Sequence, residues 1–148
     1  MRPNAASFIL GLCLTCCATC VSAQTEQKCP VSIDHIDVSF NHADGQSKPQ
    51  FRASFTNKTK KRISTLTFTL SLLDSGGYPQ PYQDSFVYSD GLDAGRQKLF
   101  AWDLDSASVD MHRTGQSALL DKAEFADGTD WVDDGSQSCV LTVDFHAK

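Results

Sequence analysis

Alternation of apolar and polar side chains is the dominant signal along this chain, and no window carries a convincing helical stripe. The clearest segment lies at Leu66, Phe68, Leu70 and Leu72, which point one way while Thr65, Thr67, Thr69 and Ser71 point the other. That pattern predicts an antiparallel strand with one face in a core and one face wet. Upstream, Val31 and Ile33 alternate out of phase with Ile36, Val38 and Phe40, so a bulge is expected at Asp34-His35. Asn41-His42-Ala43-Asp44-Gly45 is turn chemistry, and Phe51, Ala53 and Phe55 mark a second strand beyond it.

Further strands are weaker but evenly spaced. Asp74-Ser75-Gly76-Gly77 turns the chain, Pro79 and Pro81 hold it extended, and a strand runs through Phe86 and Tyr88. Asp90-Gly91 and Ala94-Gly95 punctuate before Phe100, Trp102 and Leu104, which share a face. A polar connection at residues 110–115 leads to a strand with Leu119, Ala123 and Phe125 facing inward. Asp127-Gly128 reads as a two-residue hairpin turn toward Trp131. The last strand places Cys139, Leu141, Val143 and Phe145 on one side.

About seven strands with Gly, Pro and Asp turns between them predict an all-β fold, an immunoglobulin-like antiparallel β-sandwich. A small closed barrel is the alternative that strand count does not separate.

The N-terminus changes the compartment. Met1-Arg2 supplies a short basic region, an apolar run opens at Phe8 and reaches Val21, and Val21-Ser22-Ala23 fits a signal-peptidase site. Residues 1–23 therefore read as a secretory signal peptide and residues 24–148 as a single β-sandwich domain. The apolar run is short of the roughly 20 residues that cross a bilayer, so no transmembrane segment is expected after cleavage. Lipid anchoring fits less well. Leu14-Thr15-Cys16-Cys17 has a Cys where a small residue should precede the modified one, and Thr19-Cys20 lacks the upstream Leu.

Removing the signal leaves Cys29 and Cys139 from the six cysteines. In an oxidising secreted or periplasmic setting, one disulfide between them is the economical reading, and it requires the terminal strands to lie close together. Only Arg2 of the 13 basic residues falls in the signal, so the remainder sets 12 Lys+Arg against 18 Asp+Glu. That balance argues against a sequence-independent grip on nucleic acid. The basic run Lys58, Lys60, Lys61 and Arg62 reads as a solvated loop between strands that also discourages edge pairing. Asn57-Lys58-Thr59 is a glycosylation sequon, which matters only in a eukaryotic secretory route.

The stretch Thr67-Phe68-Thr69-Leu70-Ser71-Leu72-Leu73-Asp74-Ser75-Gly76-Gly77 resembles the core of FxLYD-type domains, small immunoglobulin-like modules of exported bacterial proteins. Leu70-x-Leu72-Leu73-Asp74 follows their pattern with Leu at both aromatic positions. Phe55-Thr56-Asn57 followed by Lys60-Lys61 resembles that family's polar strand end, and Ala94-Gly95 stands where those domains often carry Pro-Gly. Glu124-Phe125-Ala126-Asp127-Gly128-Thr129-x-Trp131 is similar to the terminal hairpin of small uncharacterised exported bacterial proteins. The resemblance spans residues 50–135 and implies the fold. It carries no catalytic residues, because the family has no agreed activity.

Candidate chemistry is sparse. A blue-copper site needs two His and a Cys near an axial Met, and no Met follows Cys139 and His146. His35, His42, His112 and His146 sit in no nucleophile motif, and Asp34-His35, as strand neighbours, should face opposite sides. No catalytic residue and no cofactor is expected. Asp127, Asp130, Asp133 and Asp134, ending at Gly135, form an oxygen-rich hairpin suited to calcium but also typical of solvated turns. Tyr78 and Tyr82, with Pro79 and Pro81, are read as a long loop able to contact a partner. The expected role is non-enzymatic: interaction with an unknown protein or envelope partner, in adhesion or envelope assembly. The alternative is an exported calcium- or ligand-binding domain using residues 127–135.

Overall fold

The phase slip in the first strand has a structural counterpart. In a computed structural model, which describes residues 28–43, 46–74, 76, 78–105 and 114–144, the register of the first hairpin shifts between Ile33 and His35. Ile33 still pairs Phe55, but His35 pairs Ser54, so Asp34 is the extra residue of a bulge. Asp34 and His35 are consequently both exposed rather than on opposite faces. The Asp34 carboxylate accepts from Thr56 Oγ1 at 2.6 Å and Gln97 Nε2 at 3.0 Å.

The strands are β1 (Val31–Ala43), β2 (Gln46–Asn57), β3 (Ile63–Leu73), β4 (Pro79–Tyr88), β5 (Gln97–Asp103), β6 (Gly115–Phe125), β7 (Asp130–Val132) and β8 (Val140–Asp144). They form two antiparallel sheets, ordered β1-β2-β5 and β4-β3-β6-β7, with β8 also paired to β6. The chain changes sheet after β2, after β4 and again after β5, so the layers are stitched by Greek-key connections. The fold is the expected immunoglobulin-like sandwich, and no helix occurs among the described residues.

Burial explains the stacking. Phe51, Ala53 and Phe55 of β2 and Leu66, Phe68, Leu70 and Leu72 of β3 are all fully buried. Phe55 meets Phe68 at 5.2 Å between ring centroids, and Phe51 meets Phe86 at 5.3 Å. Each such side chain contributes roughly 1.5–3 kcal/mol on leaving water. Trp102 of β5 stacks on Phe51 and touches Phe68, Phe86 and Phe100, while its Nε1 donates to Val87 O of β4 at 2.8 Å. This side chain closes one open flank of the sandwich.

The other flank is closed covalently. Cys29, just before β1, and Cys139, just before β8, form a disulfide with a Cα–Cα distance of 5.4 Å across 110 residues. Further along the same flank, Gln116 Nε2 of β6 donates to Ile36 O of β1 at 3.0 Å, a buried tie between the sheets.

One expectation within a strand is corrected. Inward positions of β6 are Ala118, Leu120 and Ala123, and Leu119 lies on the outer face. Thr67 pairs Lys122 but Phe68 pairs Leu120, so a bulge at Asp121 switches the phase that strict alternation would keep. Beyond the hairpin, the segment at Trp131 is the short β7 and the expected last strand is β8. Between them the chain leaves the sheet where Asp133 N donates to Asp121 O, and returns where Leu120 N donates to Cys139 O, both at 2.9 Å. The excursion thus leaves and rejoins at adjacent β6 residues, with Gly135 and Gln137 at positive φ turning it.

The expected signal segment with Cys17 and Cys20, the Asp44-Gly45 turn, Met111, His112, Phe145 and His146 lie outside the described residues. Among the described residues, no helix is long and apolar enough to cross a membrane.

Replacing Cys29 and Cys139 together by Ala should lower the urea-unfolding free energy by about 2–5 kcal/mol. Asn57→Ala should cost about 2–3 kcal/mol in the same measurement, because its fully buried amide serves backbone groups of two connections. Lys58→Ala, one residue on, should leave stability unchanged.

Candidate functional site

Three connections meet at the disulfide end of the sandwich. They are the segment entering β1, the β2–β3 loop, and the β6–β7 hairpin. Each is shaped by its own sequence. Asn57 Nδ2 donates to Lys61 O at 2.8 Å and Leu92 O at 3.0 Å, while its Oδ1 accepts from Thr59 N and Thr59 Oγ1. These bonds fold residues 57–61 into a tight loop. They also account for the sequon in structural terms, since the Asn57 amide is fully buried and engaged.

The hairpin is one residue longer than the two-residue turn expected. Gly128 N donates to Phe125 O and Phe125 N donates to Thr129 O, with Gly128 at φ 83°. This is a three-residue loop closed by a glycine in the left-handed region.

Backbone hydrogen bonds pin the three segments to one another. Lys58 N donates to Pro30 O at 2.9 Å, and Ala126 N donates to Arg62 O at 3.0 Å. Side chains reinforce the second joint. Lys61 Nζ lies 2.7 Å from Asp127 Oδ2, donates to Thr129 Oγ1 at 2.9 Å, and sits 5.4 Å from the Phe125 ring centroid. The basic loop and the acidic hairpin, far apart in sequence, are therefore partners.

Between them opens a cleft of about 370 Å³, walled by Lys28, Lys58, Lys61, Asp130 and the apolar Pro30, Phe125 and Trp131. That volume falls within the range of small-ligand sites. Trp131 is only 4% exposed, and its indole Nε1 is buried with no hydrogen-bond partner among the described residues. Cys29 lies on the same wall.

Electrostatics follow from these contacts. The Lys61 ammonium, then the Thr129 hydroxyl and backbone N–H, hold the Asp127 carboxyl well below the usual carboxylate range. Burial alone would push the Asp34 carboxyl up, but hydrogen bonds from Thr56, Ser32 and Gln97, together with the Lys58 charge, hold it down. The Lys61–Asp127 pair is about half exposed, so it orients the hairpin more than it stabilises the fold.

The other sequence candidates are dispersed. Asp133 Oδ2 accepts from Gly135 N at 3.1 Å, and Asp134 Oδ1 accepts from Ser136 N at 3.0 Å, both as turn-forming carboxylates. Asp130 lies 4.0 Å from Lys122 Nζ. Among the described residues, no three His, Cys, Asp or Glu side chains are grouped to hold a metal, so the four aspartates do not converge. Tyr78 is 72% exposed at the far end of β3 from the cleft, after a connection capped by Asp74. Tyr82 belongs to β4 rather than to a long loop, because the chain pairs again as early as Pro79 with Leu73. Pro79 and Pro81 are accommodated there because β4 is an edge strand.

Sequence reasoning missed Lys28, Phe125 and Trp131 as companions of Lys58 and Lys61. The available signal was the pairing of Cys29 with Cys139, which draws the residue next to Cys29 toward the β6–β7 end.

No family model and no curated protein matches the chain. A solved structure of a hypothetical protein from Peptoclostridium difficile 630 is similar, with a TM-score of 0.55 at 11% identity. The alignment covers 73% of this chain and 88% of that one. The likeness extends to the fold alone.

The depressed Asp127 carboxyl has a definite consequence for pH. Its contribution to folding is complete above the unfolded value of about 3.9, and is lost as pH falls through the lower folded value. Carboxyl-detected NMR titration should find Asp127 ionised below the ordinary range. Lys61→Met should move its midpoint up toward the ordinary value, and no movement would mean that Lys61 is not its main partner.

Proposed function

We propose that the chain is an exported, non-enzymatic sandwich that binds an envelope or extracellular partner through the cleft at its disulfide end. One observation carries the reading. Three connections are locked together by main-chain hydrogen bonds beside a disulfide, yet their side chains leave an open, lysine-walled cavity instead of filling it. Loops fixed on a rigid sandwich are where recognition is commonly built.

Export is supported by the signal-like residues 1–23 and by the disulfide, which persists in oxidising compartments. The position of Leu70-x-Leu72-Leu73-Asp74 supports the resemblance to FxLYD-type modules. Its leucines end a core strand, and its aspartate caps the following turn. A nucleic-acid partner is disfavoured by the net negative charge.

A photo-crosslinking residue placed at Lys58 should yield a discrete higher-mass adduct in envelope fractions of the producing cells. The same residue at the exposed Ser85 of β4 should not. An adduct from position 85 with none from position 58 would move the binding surface off the cleft and overturn the reading.

A further inference from the structure

We infer that the cleft at the disulfide end accepts a single carboxylate carried on an apolar body. This rests on the reading of the cleft as the binding surface and specifies what it recognises. The polar part of the wall is built from three lysines, Lys28, Lys58 and Lys61, and two threonines, Thr59 and Thr129, against the single acidic residue Asp130. Each ammonium offers donors and no acceptor. Beneath this wall the Trp131 indole N–H is buried and no described residue accepts from it. A wall with this surplus of donors calls for an acceptor that bears negative charge.

The surplus is also bounded. Asp127 already engages Lys61 at 2.7 Å, and the Asp34 carboxylate lies in the field of Lys58. The positive excess left over is small, which suits a monoanion better than a dianion such as phosphate. Pro30, Phe125 and Trp131 supply the apolar part of the wall, so the ligand needs a hydrocarbon or aromatic portion behind its charged end. The free C-terminal residue of a protein and a small arylalkanoate share this chemistry.

Isothermal titration of the purified oxidised protein tests the assignment. The probes are 3-phenylpropanoate with its neutral amide, and the peptide acetyl-Ala-Ala-Phe with either a free or an amidated C-terminus. The acids should saturate with Kd on the order of 1 mM or tighter, and the amides should bind at least about ten-fold more weakly. Lys28→Ala with Lys58→Ala should weaken the acids about ten-fold, while the charge-matched Lys48→Ala with Lys98→Ala should leave them unchanged.

A peptide acid that binds better than the free arylalkanoate identifies a protein C-terminus as the source. Equal or weaker peptide binding identifies a small carboxylate. Equal binding of acids and amides, absence of saturation by about 10 mM, or equal weakening by both double variants overturns the assignment. If carboxylates fail while position 58 still crosslinks, only the ligand class falls. If both fail, the cleft is not the binding surface.

Discussion

The inner faces of the two sheets can stay in contact only if the sandwich is held shut along its flanks. A pair of stacked sheets is open on two sides, and here each side has its own fastening. Trp102 lies across one, reaching from β5 to the main chain of β4 while stacking on Phe51. The Cys29–Cys139 bond and the Gln116 amide secure the other, between β1 and the β6–β8 region. The buried apolar side chains, aliphatic and aromatic together, supply most of the driving force, and these links fix which strands face each other. The disulfide differs from the usual immunoglobulin arrangement, where the bridge joins central strands of the two sheets. Placing the bridge at the flank leaves Phe55 and Phe68 to pack directly on each other in the core.

Much of this was legible in residue order. The β3 pattern, the slip at Asp34-His35 and the pairing of the two remaining cysteines all report on forces that act locally or through simple alternation. Legibility failed where one residue broke the rhythm without a marker. Asp121 is an ordinary strand-face residue by composition, and its bulge is settled by a partner strand, with Thr69 Oγ1 donating to its carboxylate at 2.7 Å. The return of β8 to the edge of β6 already used by β7 is similar. Asp and Gly at residues 133–135 announce a turn but not a return to the same strand edge.

The candidate site was harder to see because its members come from three separate parts of the chain. A basic loop and an acidic hairpin each look like solvated turns when read alone. Only the crossing of the chain between sheets brings Lys61 against Asp127, and with it the aromatic wall beneath. The Asn57-Lys58-Thr59 triplet gave the opposite lesson. Its side chains suit a glycan acceptor on paper, yet they are consumed in building the loop that carries Lys58 into the cleft.

The covalent ring formed by Cys29 and Cys139 encloses every loop from the β1 bulge to the excursion before β8. Proteolytic nicking at any one of those loops therefore releases no fragment, since both pieces stay joined through sulfur. A domain wired this way can be cut once and remain assembled, its halves still packed face to face.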